Sequence, residues 1–329
     1  MSKSVKDFWK KLKITSKNSG KPIYALAPMA NVTDVAFRFM FAKYGKPDVM
    51  WTEFVSADGL CSKGRDMLLN DLLFSKKEKP IVAQIFSGHP DKIREASSLI
   101  EKLGFDGIDI NMGCPDRAVE KQGAGAGMIK NPSLAKEIIK AAREGAPSLP
   151  ISVKTRIGYN KVEIDTWMGA LLKENLSALT VHLRTRKEMS DVLAHWDLMS
   201  KIVELRDEIS PDTVLLGNGD IVDLDDANTK VRESGCDGVM VGRGIFGNPW
   251  FFSGKKVNDI PVEERLKVML EHAKTFDKKL GKIKNFAIMK KHFKAYVSGW
   301  EGAKELRVKL MECDDFKAVD KVVKEYLQK

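Results

Sequence analysis

Cysteine is scarce and scattered. The 329 residues hold four, Cys61, Cys114, Cys236 and Cys313, and no two of them form a Cys-x-x-Cys pair. That excludes a zinc-ribbon spacing and a disulfide framework, and it fits a reducing, cytoplasmic setting with no structural metal. No run approaches the ~18 apolar residues of a membrane-crossing helix. The N-terminus has no apolar core of the kind a secretory signal needs. No Gly-x-Gly-x-x-Gly follows the first apolar run, which weighs against an open, doubly wound dinucleotide fold. Low-complexity segments and long repeats are also missing. What remains is a globular composition, 43% hydrophobic and 30% charged. This length accommodates one large domain of roughly 200–250 residues and a small one.

The formal charge of +10 is unevenly placed. Residues 1–21 and residues 261–329 each carry +6, so the middle is slightly acidic, at −2. Basic ends around a near-neutral centre suit either a polyanionic partner held by appended segments or a lysine-rich solvated surface. Residues 1–20 form the first basic segment. There Val5, Phe8, Trp9 and Leu12 fall at i, i+3, i+4 and i+7, which predicts an amphipathic helix packed against the body of the protein.

From Ile23 onward short apolar runs alternate with helical patterns. The runs are 23–28, 49–52, 81–86, 107–112, 151–156, 178–182, 214–217 and 238–241. Helix-like stretches at 34–44, 91–103, 132–143, 162–174, 196–208 and 223–234 lie between them, while residues 54–72 look mostly like loop. Helical crossovers connect parallel neighbours. Eight such units predict a (β/α)8 TIM barrel over residues 21–255, with an open doubly wound sheet as the runner-up. Beyond Phe252 the period changes. Residues 261–329 show only helical spacing, at 262–280, 286–297, 301–312 and 316–327, and predict a small all-α domain.

In such barrels the reactive groups stand where strands end. The run at 23–28 ends in Pro28-Met29, and the third brings Gln84. The fourth gives Asn111 and leads to Cys114. The fifth gives Lys154, the sixth His182 and Arg184, the seventh Asn218-Gly219-Asp220, and the eighth Gly242-Arg243-Gly244. Glycine amides after the last two strands, with Arg243 as a forked cation, predict a phosphate site and hence a phosphorylated cofactor or substrate. If that group is FMN, Lys154 would balance charge on the reduced ring and Gln84 would meet its edge, with His182 and Asn218 as further contacts. Cys114 lies between Gly113 and Pro115, which shape a loop. A thiol of ordinary pKa near ~8.5 is protonated at neutral pH and can act as a general acid. A small buried core cysteine is the bland alternative. Gly123, Gly125 and Gly127 follow in a loop whose partner the spacing does not reveal.

These motifs together resemble the tRNA-dihydrouridine synthases. The matches are Ala27-Pro28-Met29 with Thr33-Asp34 and Phe37-Arg38; Thr52-Glu53; Asn111-Met112-Gly113-Cys114-Pro115; Gly123-Ala124-Gly125-Ala126; Lys154-Thr155-Arg156-Ile157-Gly158; His182-Leu183-Arg184-Thr185; Gly217-Asn218-Gly219-Asp220-Ile221; and Gly242-Arg243-Gly244 with Gly247-Asn248-Pro249-Trp250. Leu183 stands where the family commonly has glycine, and Ala36 where it has proline. The resemblance implies an FMN enzyme reduced by NADPH that saturates the C5=C6 bond of a uridine in tRNA. It implies that Cys114 protonates C5 and Asn111 positions the base. Arg184 is placed with the substrate. The family's helical tRNA-binding domain corresponds to residues 261–329, where Lys290, Lys291, Lys294 and Arg307 are expected to grip RNA and the interleaved aromatics to form core. Two other readings remain: a flavin reductase of a free pyrimidine or enone, and a non-catalytic RNA-binding protein. No membrane contact is expected, and a monomer is.

Overall fold

The computed structural model describes residues 7–328. Eight parallel strands close on themselves in sequence order: β1 Ile23–Leu26, β2 Val49–Ser56, β3 Ile81–Phe86, β4 Gly107–Met112, β5 Ile151–Arg156, β6 Ala178–His182, β7 Val214–Asn218 and β8 Gly238–Val241. Pairing of β1 with β8, from Ile23–Gly238 to Leu26–Val241, seals the ring. The molecule is therefore a (β/α)8 barrel followed by helices, and the open sheet is excluded. β3, β4, β5, β6 and β8 span the same residues as their apolar runs. A buried parallel strand reads as a continuous apolar run, which makes its ends visible.

Two connections differ from their patterns. β2 continues to Ser56, with a register shift between Trp51 and Phe54. Residues 54–72 are therefore strand end, two short helices (Ala57–Leu60 and Arg65–Leu69) and a 3-10 turn, rather than mostly loop. Ser56 caps the first of these helices by accepting from the Gly59 N–H at 3.2 Å. The predicted helix at 162–174 is a π-turn, Ile164–Met168, followed by one α-turn, Gly169–Leu172.

Alternation along each strand splits the side chains between the barrel interior and the helical jacket. The lower interior is apolar and is closed from below by the helix Phe8–Ser19. Its Trp9, 1% exposed, packs against Trp51 with tilted rings whose centroids are 5.7 Å apart. Lys13 of the same helix donates to the Pro211 carbonyl at 2.6 Å. The helix of the basic N-terminal segment thus plugs the barrel, as the spacing of Phe8, Trp9 and Leu12 predicts; Val5 lies outside the described residues. Higher up the interior turns polar, with Gln84, Asp109, Ser152 and Thr180 all buried.

Four terminal helices, Val262–Leu280, Ile288–Tyr296, Ala303–Met311 and Phe316–Leu327, form a second core. Phe276, Met289, Phe293, Leu306 and Val319 pack there with Val35, Ala36, Met40 and Trp250 of the barrel. His272 and His292 are fully buried at this seam, 4.9 Å apart between ring centroids and beside Phe37. Burial keeps both neutral, holding His272 at about 3. At the edge of the seam Lys284 reaches Glu53 and Asp71, each at 2.7 Å, and Lys291 donates to the Asn31 carbonyl. The helices are thereby bolted beside the loop that follows β1.

Candidate active site

A cavity of about 610 Å³ opens at the C-terminal ends of β1 and β5 to β8. Small-molecule sites typically occupy about 300–1,000 Å³. Pro28, Met29, Lys154, His182, Asn218, Gly219, Asp220, Gly242 and Arg243 line it together, along with Arg184. Of the predicted cofactor residues only Gln84 does not. It is fully buried below, on β3, and its amide links Asp109 to Asn111.

Each wall is set locally. Pro28 has no N–H to give, and the next N–H, of Met29, donates to Thr33 Oγ1 at 2.9 Å. Asp34 then caps the helix Val35–Tyr44 by accepting from the N–H groups of Ala36 and Phe37 at 2.8 and 2.9 Å. Ala36 supplies an N–H here that proline would lack. Across the mouth, Lys154 Nζ donates to Asn218 Oδ1 at 3.0 Å, and Asn218 Nδ2 donates to the Met240 carbonyl at 2.8 Å. Loss of solvation, and then the charge of Arg156, lower Lys154 to about 8. His182 Nε2 lies 3.1 Å from an Arg184 nitrogen, which can only donate. The imidazole proton therefore sits on Nδ1. Burial, with Lys154 and three arginines nearby, keeps the ring neutral.

Two residues turn out to be braces. Arg184 is 2% exposed and holds the Val192 carbonyl at 2.7 Å, His182 and the Asp220 carboxylate. Asp220 also accepts from the Ala194 N–H at 2.8 Å and faces Arg243 at 3.5 Å. Burial pushes Asp220 up, but Arg184 and the Ala194 N–H outweigh it and hold it below the usual carboxylate range. Arg184, expected on the substrate, lines the cavity and also orients its wall. Gly219 adopts φ +131°, and an added Cβ there would lie 2.7 Å from Ala194 Cβ, so this turn requires glycine.

The donor set of this cavity suits an anionic nucleotide. One solvated cation (Arg243), one desolvated ammonium (Lys154), a neutral imidazole N–H and glycine-lined loops converge on a volume of matching size. A phosphate group requires such donors.

Cys114 sits at the edge of this cavity, one residue before its lining residue Pro115. The thiol is half-buried and packs with Phe54, Phe86, Val119 and Ala124. Burial pushes it above its ordinary value, against a backbone N–H from Asp116 and the charges of Arg156 and Lys154. It is a protonated thiol at neutral pH. Its loop is held from three sides. Asn111 Oδ1 accepts from the N–H groups of Gly113 and Cys114 at 3.1 and 2.9 Å. Arg156 donates to the Gly113 carbonyl at 2.9 Å. The Ala126 N–H donates to the Cys114 carbonyl at 2.8 Å. The glycine loop thus has the cysteine loop as its partner: Gly125 has φ +57°, and a Cβ there would meet the Cys114 carbonyl at 2.6 Å.

Asn111 is therefore occupied within the protein, where a role in holding a substrate base was expected. Arg156, which also reaches the Thr185 and Met189 carbonyls, was not singled out. Its signal is its place two residues beyond Lys154, on the same face of β5. Of the four expected RNA contacts in the helical tail, only Lys294 is exposed, and it has no ion-pair partner among the described residues. Lys290 pairs with Asp314 at 3.2 Å, Lys291 holds Asn31, and Arg307 donates to the Val297 carbonyl at 2.8 Å. Lys291 and Arg307 thus have structural partners within the protein.

Residues 25–329 match the family model described as dihydrouridine synthase. A "Probable tRNA-dihydrouridine synthase" of Staphylococcus aureus (strain MRSA252) is 42% identical over 308 residues, covering 93% of this chain and 91% of the relative. "Probable tRNA-dihydrouridine synthase 2" of Bacillus subtilis (strain 168) is 41% identical over 319 residues, covering 96% and 94%. Among solved structures, histamine dehydrogenase from Rhizobium sp. 4-9 superposes with a TM-score of 0.52 at 12% identity, over 77% of this chain and 49% of that one. That likeness is one of fold, and this chain spans about half of that protein. Matched along nearly its whole length, the chain belongs to the dihydrouridine synthase family.

Proposed function

We propose that this protein reduces the C5=C6 bond of specific uridines in tRNA to dihydrouridine, with FMN as cofactor and NADPH as the electron donor. The observation that carries this reading is a protonated thiol at the rim of a cavity lined by Lys154, Arg243 and glycine backbone, in a chain of this family. Arg243 and the backbone around Gly219 and Gly242 would hold the phosphate. Lys154, Asn218 and His182 would face the ring system, with Pro28 and Met29 beside it. When bound and reduced, FMN supplies the hydride that C6 of the uracil receives.

The chain's own part is proton delivery and orientation. Cys114 gives its proton to C5, and burial suits it to that role by disfavouring the thiolate. Loss of that proton leaves a thiolate near Lys154 and Arg156, whose charges stabilise it until solvent reprotonates it. Lys154 meets negative charge on the ring with an ammonium that needs no solvent reorganisation. The target base must leave its stack to reach the mouth. Lys294, with Lys290 beside it, would hold the RNA backbone.

The experiment has three steps. Purified protein should be yellow and release FMN on denaturation; a colourless protein that cannot bind FMN removes the reading. In tRNA from a deletion strain, a subset of dihydrouridines should be missing and should return with the gene. Dihydrouridine unchanged at every position would leave the proposed substrate without support. Cys114→Ala should keep flavin and lose most turnover, by about 10²–10⁴-fold for a lost general acid. Full turnover would show that the proton comes from elsewhere.

A further inference from the structure

One buried acid inside the barrel has no part in the reaction described above. Asp109 is on β4, two residues below Asn111 and on the same interior face, with both side chains buried. The parallel register sets Asp109 opposite Gln84 on β3 and opposite Ser152 on β5. From these neighbours a continuous chain of hydrogen bonds runs up to the cysteine loop. Ser152 Oγ is 2.5 Å from Asp109 Oδ1. Gln84 Nε2 donates to Asp109 Oδ2 at 2.7 Å, and Asn111 Nδ2 donates to Gln84 Oε1 at 3.1 Å. Asn111 Oδ1 accepts from the N–H groups of Gly113 and Cys114.

The polarity of this chain follows from its upper end. Backbone N–H groups can only donate, so Asn111 must turn its oxygen to the loop and its nitrogen downward. Gln84 must then answer with oxygen above and nitrogen below. The group below must accept. A carboxylate accepts at both oxygens, whereas an apolar residue could not, and a reversed Gln84 would set oxygen against oxygen in a dry interior.

We propose that Asp109 is a positioning residue for Cys114: its acceptor oxygens set the direction of the Gln84 and Asn111 amides, and this direction pins the loop that presents the thiol. The catalytic consequence rests on Cys114 as the proton donor, but the structural consequence does not. Asp109 need touch neither cofactor nor substrate. A Leu at 109 would leave the Gln84 amide free to turn and the Asn111 cap without support.

The test reverses the chain on purpose. In Asn111→Asp, a carboxylate still caps the loop but turns its second oxygen on Gln84 Oε1, and flipping Gln84 only moves the conflict to Asp109. Adding Asp109→Asn supplies an N–H at the bottom, so the flipped chain is satisfied again. Amide hydrogen exchange of the FMN-loaded protein, followed by mass spectrometry over residues 112–116, reads the Gly113 and Cys114 N–H groups. N111D should exchange about ten-fold faster than wild type, the factor that one lost hydrogen bond sets, and N111D/D109N should return toward wild type. Dihydrouridine turnover should follow the same order, with the second change harmless or harmful alone and beneficial on N111D. If N111D does not fold, Gln84→Glu repeats the test from the middle of the chain, because a carboxylate there conflicts with Asp109 and is relieved by D109N. A double variant no better than its parent, or N111D exchange equal to wild type, overturns the relay. Exchange that follows the predicted order in a protein without turnover would instead sink the proposed reaction and leave the relay standing.

Discussion

Lys154 offers a quantitative handle on cofactor binding. Its ammonium sits in the cavity wall, where desolvation and then Arg156 bring it to about 8. In the free protein it is therefore about nine-tenths charged at pH 7 and about one-tenth charged at pH 9. If it pairs with the anionic ring of bound, reduced FMN, the complex holds the proton and its pKa returns toward the ordinary ~10.5. Linkage then gives the sign. Above pH 8 binding must take up a proton that is increasingly scarce, so FMN affinity falls by about ten-fold between pH 7 and pH 9. Few neighbours titrate within this window. The Cys114 thiol is pushed upward and His182 well downward. The phosphate's second ionisation lies near ~6. The assay is anaerobic equilibrium dialysis of reduced FMN against apo-protein across that range. Lys154→Met should bind weakly at pH 7 with no slope. A flat wild-type profile, or an equal slope in the Met variant, would refute the pairing.

Three further outcomes can be measured. Arg38 and Glu78 form an ion pair at 2.7 Å with both side chains fully buried, so Arg38→Met should cost about 3–5 kcal/mol in urea unfolding. Adding Glu78→Met should recover much of that loss. Trp9→Ala removes the plug under the barrel and should cost about 3–5 kcal/mol, without changing FMN affinity. Reversing charge at Lys290 and Lys294 together should weaken tRNA binding and reduce its salt slope by about 2, while flavin affinity stays the same.

Much of the fold was legible because burial on both faces makes each inner strand a continuous apolar run with punctuated ends. Ile81–Phe86 and Gly107–Met112 are examples, and the change to helical spacing after Phe252 marks the terminal helices equally well. The residues after β7 and β8 were legible for a related reason. Glycine beside Asn218 and Arg243 marks turns packed too closely for a side chain, Gly219 against Ala194 and Gly244 against the Ile221 carbonyl. β2 beyond Thr52 was harder to read, because a register shift interrupts its alternation.

What the sequence by itself determined is the set of chemical groups at the barrel mouth: a thiol, an ammonium, an imidazole and an arginine, each at the end of its own strand. Which of them face the cavity was decided only by the closed sheet. Asn111, Gln84 and Arg184 look like ligand contacts from their positions, and other residues of the barrel mouth and interior engage all three. Lys291 and Arg307 resemble Lys294 in sequence but are partly buried, each with a carbonyl within reach. The physical reason is the same in each case. A polar side chain binds whatever donor or acceptor the fold brings within about 3 Å. In a barrel of parallel strands those partners come from residues tens of positions away.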